Sequence, residues 1–149
     1  MKSVLYLFFA LCFTGNIATK INTEANELTD CDPKKHCDLC VTRLTPGFNF
    51  VKGFNINGEN GSKEKVEYSY VLTKGTIYLI TICTGLLTSD GIIVTIYDSN
   101  RNKIASNMIG IEIADAISYQ CNATSIYYLQ YTFSGSREYC GGSVLGFKR

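Results

Sequence analysis

Val66-Glu-Tyr-Ser-Tyr-Val-Leu72 places Val66, Tyr68, Tyr70 and Leu72 at every second position, with Glu67 and Ser69 between them. A period of two sends successive side chains to opposite faces of a strand, so this stretch has one face for a core and one for water. The pattern recurs further along the chain. In Ser125-Ile-Tyr-Tyr-Leu-Gln-Tyr-Thr-Phe133, residues Tyr127, Leu129, Tyr131 and Phe133 share one side, while Tyr128, Gln130 and Thr132 share the other, joined by Ile126. Thr76 to Cys83 and Ile92 to Tyr97 are apolar on both sides, which predicts central strands covered twice.

Similar short runs of Val, Ile, Tyr, Phe and Thr lie at Phe48 to Ile56, Lys103 to Asn107, Ala116 to Cys121 and Ser143 to Phe147, between Gly, Asn, Asp and Ser clusters. No proline follows Pro46. Tight turns are predicted at Thr73-Lys74-Gly75 and from Asp98 to Asn102. About eight short antiparallel strands joined in this way predict an all-β, antiparallel β-sandwich of two packed sheets over residues 47–149. Its predicted core holds Tyr68, Tyr70, Leu79, Val94, Ile96, Leu129, Tyr131 and Phe133.

At the other end of the chain, Lys2 precedes an unbroken apolar run from Val4 to Phe13, and small residues follow at Thr14, Gly15 and Ala18. This is the layout of a cleaved signal peptide, residues 1–18. A bilayer needs about twenty apolar residues, so no transmembrane anchor is expected. Leu11, before Cys12, is larger than the small residue a lipoprotein cleavage site takes. Export predicts a secreted protein, extracellular or periplasmic. The remaining Cys31, Cys37, Cys40, Cys83, Cys121 and Cys140 are then expected to form three disulfides. Residues 19–46 are polar and carry both prolines and three of these cysteines, so they read as an irregular arm stapled by the bridges.

Strand direction constrains the pairing. Cys121 and Cys140 flank a strand some 30 Å long, against the ~7 Å that separates bridged Cα atoms. If successive strands alternate in direction, Cys83 and Cys140 share one end of the sandwich and Cys121 lies at the other. The expected pairs are Cys83 with Cys140, and Cys121 with Cys37 or Cys40. Cys31 closes on Cys37 if Cys40 reaches Cys121.

Gly75-Thr-Ile-Tyr-Leu-Ile-Thr-Ile-Cys83, Gly91-Ile-Ile-Val-Thr-Ile-Tyr-Asp98, Lys103-Ile-Ala-Ser-Asn107 and Ser125-Ile-Tyr-Tyr-Leu129 follow one another in an order that resembles the pre-peptidase C-terminal type of jelly-roll sandwich, over Val66 to Phe147. The cysteine frame ending in Tyr139-Cys-Gly-Gly-Ser-Val-Leu-Gly-Phe-Lys-Arg149 is similar to that of small stand-alone secreted proteins of the Bacteroidota. The resemblance implies a non-catalytic domain of the kind appended to secreted proteases and glycosidases, although no such enzyme accompanies it in these residues.

The composition narrows the chemistry. Loss of Lys2 leaves thirteen basic and thirteen acidic residues, a balance with no field to gather nucleic acid, and no nucleic-acid partner is expected. A Ser-His-Asp or Cys-His centre would have to use the sole histidine, His36, which sits beside Cys37 in the polar arm. Cys31, Cys37 and Cys40 with His36 have part of a zinc-ligand spacing, but that assignment strands the later cysteines. Val41 stands where haem attachment needs histidine. Asp98-Ser-Asn100-Arg-Asn102 mimics half a calcium loop. Lys103 and Ile109, however, occupy its glycine and closing-carboxylate positions, so a hairpin turn is expected. Glu59, Glu64, Glu67, Asp90, Asp98, Glu112, Asp115 and Glu138 are scattered and define no carboxylate pair. No catalytic residue, metal or cofactor is therefore expected.

Asn60-Gly-Ser62 and Asn122-Ala-Thr124 have the form of glycosylation sequons, which count only in a eukaryotic secretory pathway. Tyrosine is plentiful and tryptophan absent. Tyr78 and Tyr128, with Gln130, are the expected outward-facing binding residues. The expected function is a secreted, non-catalytic binding or adhesion module for a glycan or protein. A structural envelope or matrix protein is the alternative, and a small hydrolase the third.

Overall fold

The computed structural model describes residues 31–85 and 89–149; the expected signal peptide and residues 19–30 of the expected arm lie outside them. The first element is a helix, α1 (Pro33–Thr42). The Asp32 side chain caps it by accepting the Lys35 N–H at 3.1 Å, and Pro33 brings the fixed φ that suits a first helical turn. The expected irregular arm is thus helical over these ten residues.

Ten strands follow among the described residues: β1 (Asn49–Asn57), β2 (Lys65–Leu72), β3 (Ile77–Cys83), β4 (Ile92–Tyr97), β5 (Lys103–Ser106), β6 (Met108–Ile109), β7 (Glu112–Ile113), β8 (Ala116–Gln120), β9 (Ser125–Phe133) and β10 (Cys140–Lys148). All pair antiparallel. One four-stranded sheet runs β1-β10-β3-β8, a second runs β2-β9-β4-β5, and β6 with β7 makes a separate two-stranded hairpin. Most connections cross from one sheet to the other, with strands far apart in sequence becoming neighbours, which is the double Greek key of a jelly roll.

Phe54, Ile56, Tyr78, Ile80, Ile82 and Leu145 from the first sheet meet Leu72, Ile92, Val94, Ile96, Tyr127, Leu129 and Tyr131 from the second. The Tyr131 hydroxyl donates to Ser143 Oγ at 2.9 Å, which gives its polar tip a partner inside the core. Of the predicted core, Val94, Ile96, Leu129 and Tyr131 are fully enclosed, and Tyr68, Tyr70 and Phe133 pack at its margin. Leu79 is buried outside this cluster. Tyr78 is a correction. It points into the core with Ile80 and Ile82, and its hydroxyl accepts the Thr73 N–H at 3.0 Å.

Helix α1 covers the outer face of the first sheet, where Gly53 and Gly142 lie against Cys37 and Gly146 against Leu44. Disulfides Cys31–Cys140 and Cys40–Cys83 fasten it there. The expected pairs are therefore wrong, and the reason is the helix. Cys83 and Cys140 do share an end, since Cys83 is in register with Gly142. The Cys121 N–H donates to Thr76 O at 2.9 Å, at the opposite end of the sheet. But α1 lies over the first end and brings Cys40 to Cys83, while Cys31, just before it, meets Cys140. Cys37 turns toward β1, its Sγ 3.0 Å from Phe54 O, and Cys121 Sγ lies 3.1 Å from Ala123 O. Both stay as buried thiols, so there are two disulfides where three were expected.

Candidate binding surface

With α1 over the outer face of the first sheet, the outer face of the second sheet carries no helix among the described residues. On the second sheet, Glu67 lies opposite Gln130 and Ser69 opposite Tyr128. Thr95 and Tyr97 of β4 come next to Gln130 and Tyr128 on their other side. These side chains alternate with the core residues Tyr68, Leu129, Val94 and Ile96, so the period of two that fills the core also furnishes this face.

Arg101 completes the surface from the β4–β5 turn. Asp98 organises that turn: its carboxylate accepts the N–H groups of Asn100 at 2.9 Å and Asn102 at 2.8 Å and the Asn102 side-chain amide at 3.0 Å. Arg101 itself sits at φ 66, a left-handed conformation that these bonds hold in place. Its guanidinium carbon lies 3.5 Å from the centroid of the Tyr128 ring, and its Nη1 donates to Glu67 Oε2 at 2.8 Å. The Gln130 side-chain amide donates to the same oxygen at 3.2 Å. The Arg101 hydrogen bond is the main cause that holds the Glu67 carboxyl below its usual range, with Gln130 adding to it against partial burial. Glu67 is thus an ionised acceptor with two donors already committed, an anchor for Arg101 and Gln130 rather than an acid to give a proton.

The structure therefore brings Tyr128 and Gln130 together and removes Tyr78 from their company. It adds Glu67 and Arg101, which sequence reasoning did not single out. Glu67 was legible only as a wet-face residue of its strand, and Arg101 only as a turn residue; their meeting depends on the register of β2, β9 and β4.

Two clefts that share Tyr70 and Val71 border this face at the β2 edge. One, of ≈ 430 Å³, is lined by Ser69, Tyr70, Val71 and Ile126. The other, of ≈ 190 Å³, opens between the edges of the two sheets and includes Val51, Tyr70, Val71, Tyr78 and Arg149. Neither is lined by a carboxylate, so neither offers the acid pair of a glycoside hydrolase. Asp90, another of the scattered acids, accepts from Ser136 Oγ and from the N–H groups of Arg137 and Glu138, which makes it a loop organiser. Among the described residues no three His, Cys, Asp or Glu side chains converge as a metal-ligand set, and Cys31 and Cys40 go to different disulfide partners. No helix among them is long and apolar enough to cross a membrane.

No family model matches the chain, that of the pre-peptidase C-terminal domains included, and no curated protein matches it. Among solved structures it is similar to PliG of Aeromonas hydrophila, a periplasmic inhibitor of g-type lysozyme, at 13% identity and a TM-score of 0.43, over 70% of this chain and 90% of that one. A second likeness, at 16% identity and a TM-score of 0.35, is to the glycosylation-associated protein (Gap123) complex of Streptococcus agalactiae, over 70% of this chain and 34% of that one.

Proposed function

We propose that this is a secreted, non-catalytic binding module that holds its ligand on the open face of the second sheet. The observation that supports this most is the inequality of the two outer faces. One is sealed by a helix fastened with two disulfides, and the other presents Tyr128, Arg101, Gln130 and Glu67 already locked in mutual contact. Side chains immobilised before binding lose little rotamer freedom on contact, which favours recognition. A protein ligand suits the surface better than a glycan. Sugar rings dock on free aromatic faces, and Arg101 occupies one face of Tyr128, leaving a guanidinium, a phenol and an amide as hydrogen-bonding groups. Secretion rests on the layout from Lys2 to Ala18 and on the two disulfides, which persist in oxidising compartments. The resemblance to pre-peptidase C-terminal domains implies the same non-catalytic role.

The test is a pull-down from extracellular protein fractions beside a glycan array, with the native chain, Tyr128→Ala and Arg101→Ala. A ligand captured by the native chain and lost with both variants is the expected result. Capture that survives Tyr128→Ala would remove this face from the reading, and a glycan signal without a protein one would change the ligand class.

A further inference from the structure

The hairpin of β6 and β7 is the most exposed apolar feature among the described residues. Ile111 is 95% exposed, Ile109 73% and Met108 40%, around a turn at Gly110 with φ 64. Isolated exposed aliphatics are ordinary, but three on one projecting tip are not. The base of the hairpin is rigid. Asn107, buried, accepts the Val94 N–H with its side-chain oxygen at 2.8 Å and donates its amide to Ile92 O at 3.2 Å and Ala114 O at 2.8 Å. The Ala114 N–H returns to Asn107 O at 2.9 Å. A stiff stem carrying an aliphatic tip is a preorganised finger.

A complementary recess exists on the same chain, the mainly apolar cleft of Ser69, Tyr70, Val71 and Ile126, with Val71 55% and Ile126 48% exposed. Their charges are also complementary. From Ile104 to Gln120 the chain carries Glu112 and Asp115 and no basic residue. Beside the recess, Arg149 and Thr73 line the neighbouring cleft that shares Tyr70 and Val71 with it, Lys74 follows Thr73, and Lys52 Nζ lies 6.0 Å from the Tyr70 ring. One acid on the finger, Glu112, a second at its base, Asp115, and no basic or aromatic residue between them speak against an anionic lipid surface as its target.

Finger and recess cannot meet within one molecule. The finger leaves at the β5 and β8 edge near the Cys83 end of the sandwich, where Ile82 N–H donates to Asp115 O at 2.8 Å. The recess lies on the β2 edge where Val71 pairs with Ile126, near the opposite end, beside the cleft of Thr73 and Thr76. We propose that the finger of one copy docks in the recess of the next, joining copies head to tail. Two different patches make a heterologous contact, which propagates unless its rotation closes a ring. The recess borders the proposed ligand face, since Ser69 lines it and Ile126 shares the outward side of β9 with Tyr128 and Gln130, but the contact is read by association between copies and not by capture of another ligand.

The experiment is sedimentation velocity with light scattering on the disulfide-bonded chain at rising concentration, using Ile111→Asp to blunt the finger and Ile126→Glu to block the recess. Both positions are exposed, so both variants keep the native melting transition. The native chain is expected to rise in mass beyond a dimer, and each variant alone to stay monomeric. An equimolar mixture of the two variants, with one working finger and one working recess between them, returns to twice the monomer mass and stops there. A native chain that remains monomeric, a mixture that does not dimerise, or variants that associate as the native chain does would each overturn the proposal.

Discussion

A Cβ added at Gly142 would lie 2.2 Å from the backbone nitrogen of Cys37, closer than any real contact. The obstacle is helix backbone, and two disulfides prevent that helix from receding. Gly142→Ala is therefore expected to cost about 3 kcal/mol, at the upper end for an overpacked site. Gly135→Ala is the control: its Cβ meets nothing within 4 Å, and only its φ of +67 is strained, for about 1 kcal/mol. Equal shifts in denaturant midpoint would mean that α1 is free to slide.

Cys37 and Cys121 are buried thiols, 8% and 1% exposed. Burial is the first cause that pushes the Cys37 thiol up, which starves it of the reactive thiolate. Alkylation without reductant should leave the folded chain unlabelled and add two labels once it is unfolded, as mass spectrometry reads directly. No labels in denaturant would mean a third bridge.

The Cys31–Cys140 bridge spans 109 residues and Cys40–Cys83 spans 43. On the chain-entropy estimate they contribute about 5 and about 4 kcal/mol. Serine pairs in either place should lower the unfolding free energy by several kcal/mol, with the longer loop losing more. The opposite order would show that fastening α1 over Cys83 matters more than loop length.

Tyr131, Tyr127 and Cys37 all have acid groups raised above their ordinary values, with burial the first cause in each. Raised folded values mean that the stability they confer is whole below the unfolded values, 9.0 for the thiol and 10.0 for the phenols, and is lost as the pH climbs toward the folded ones. Tyr131→Phe should cost about 1 kcal/mol at neutral pH through the lost Ser143 hydrogen bond. It should also flatten the decline in alkali. Unfolding midpoints at neutral and at about pH 11 check both parts; parallel declines for the two proteins would contradict the assignment.

Leu129, wholly enclosed, and Lys65, exposed on its strand, separate core from rim. Leu129→Ala is expected to cost about 2 to 5 kcal/mol and Lys65→Ala under about half of one. Similar melting shifts for the two would reverse the faces of β2 and β9.

The sandwich was legible wherever one face is wet. Ile92 to Tyr97 and Ser125 to Phe133 are bounded in the sequence as they are in the fold, because alternation and turn residues agree there. Tyr78 was not legible: with apolar side chains on both sides of its strand, the sequence cannot say which side meets the second sheet and which the helix. The helix itself left a faint signal in Asp32 and Pro33 at its start and in Cys37, Cys40 and Leu44 at helical spacing, which counts only if cysteine is read as apolar. The ligand face was half visible. Tyr128 and Gln130 follow from strand period, but Arg101 reaches them only through a turn conformation set by Asp98.

In each sheet a late strand lies between two early ones, β10 between β1 and β3 and β9 between β2 and β4. Neither sheet has a stable early half, because β1 and β3 share no backbone bonds until Cys140 to Lys148 arrives to join them. A ribosome-bound chain stopped at Tyr139 would hold the bare edges of β1 and β3 on both sides of an empty slot, so the first sheet closes only when β10 is made. The first sheet is thus closed by inserting a strand between two others, and that same strand carries Cys140, so one late segment both joins the sheet and fastens the helix across it.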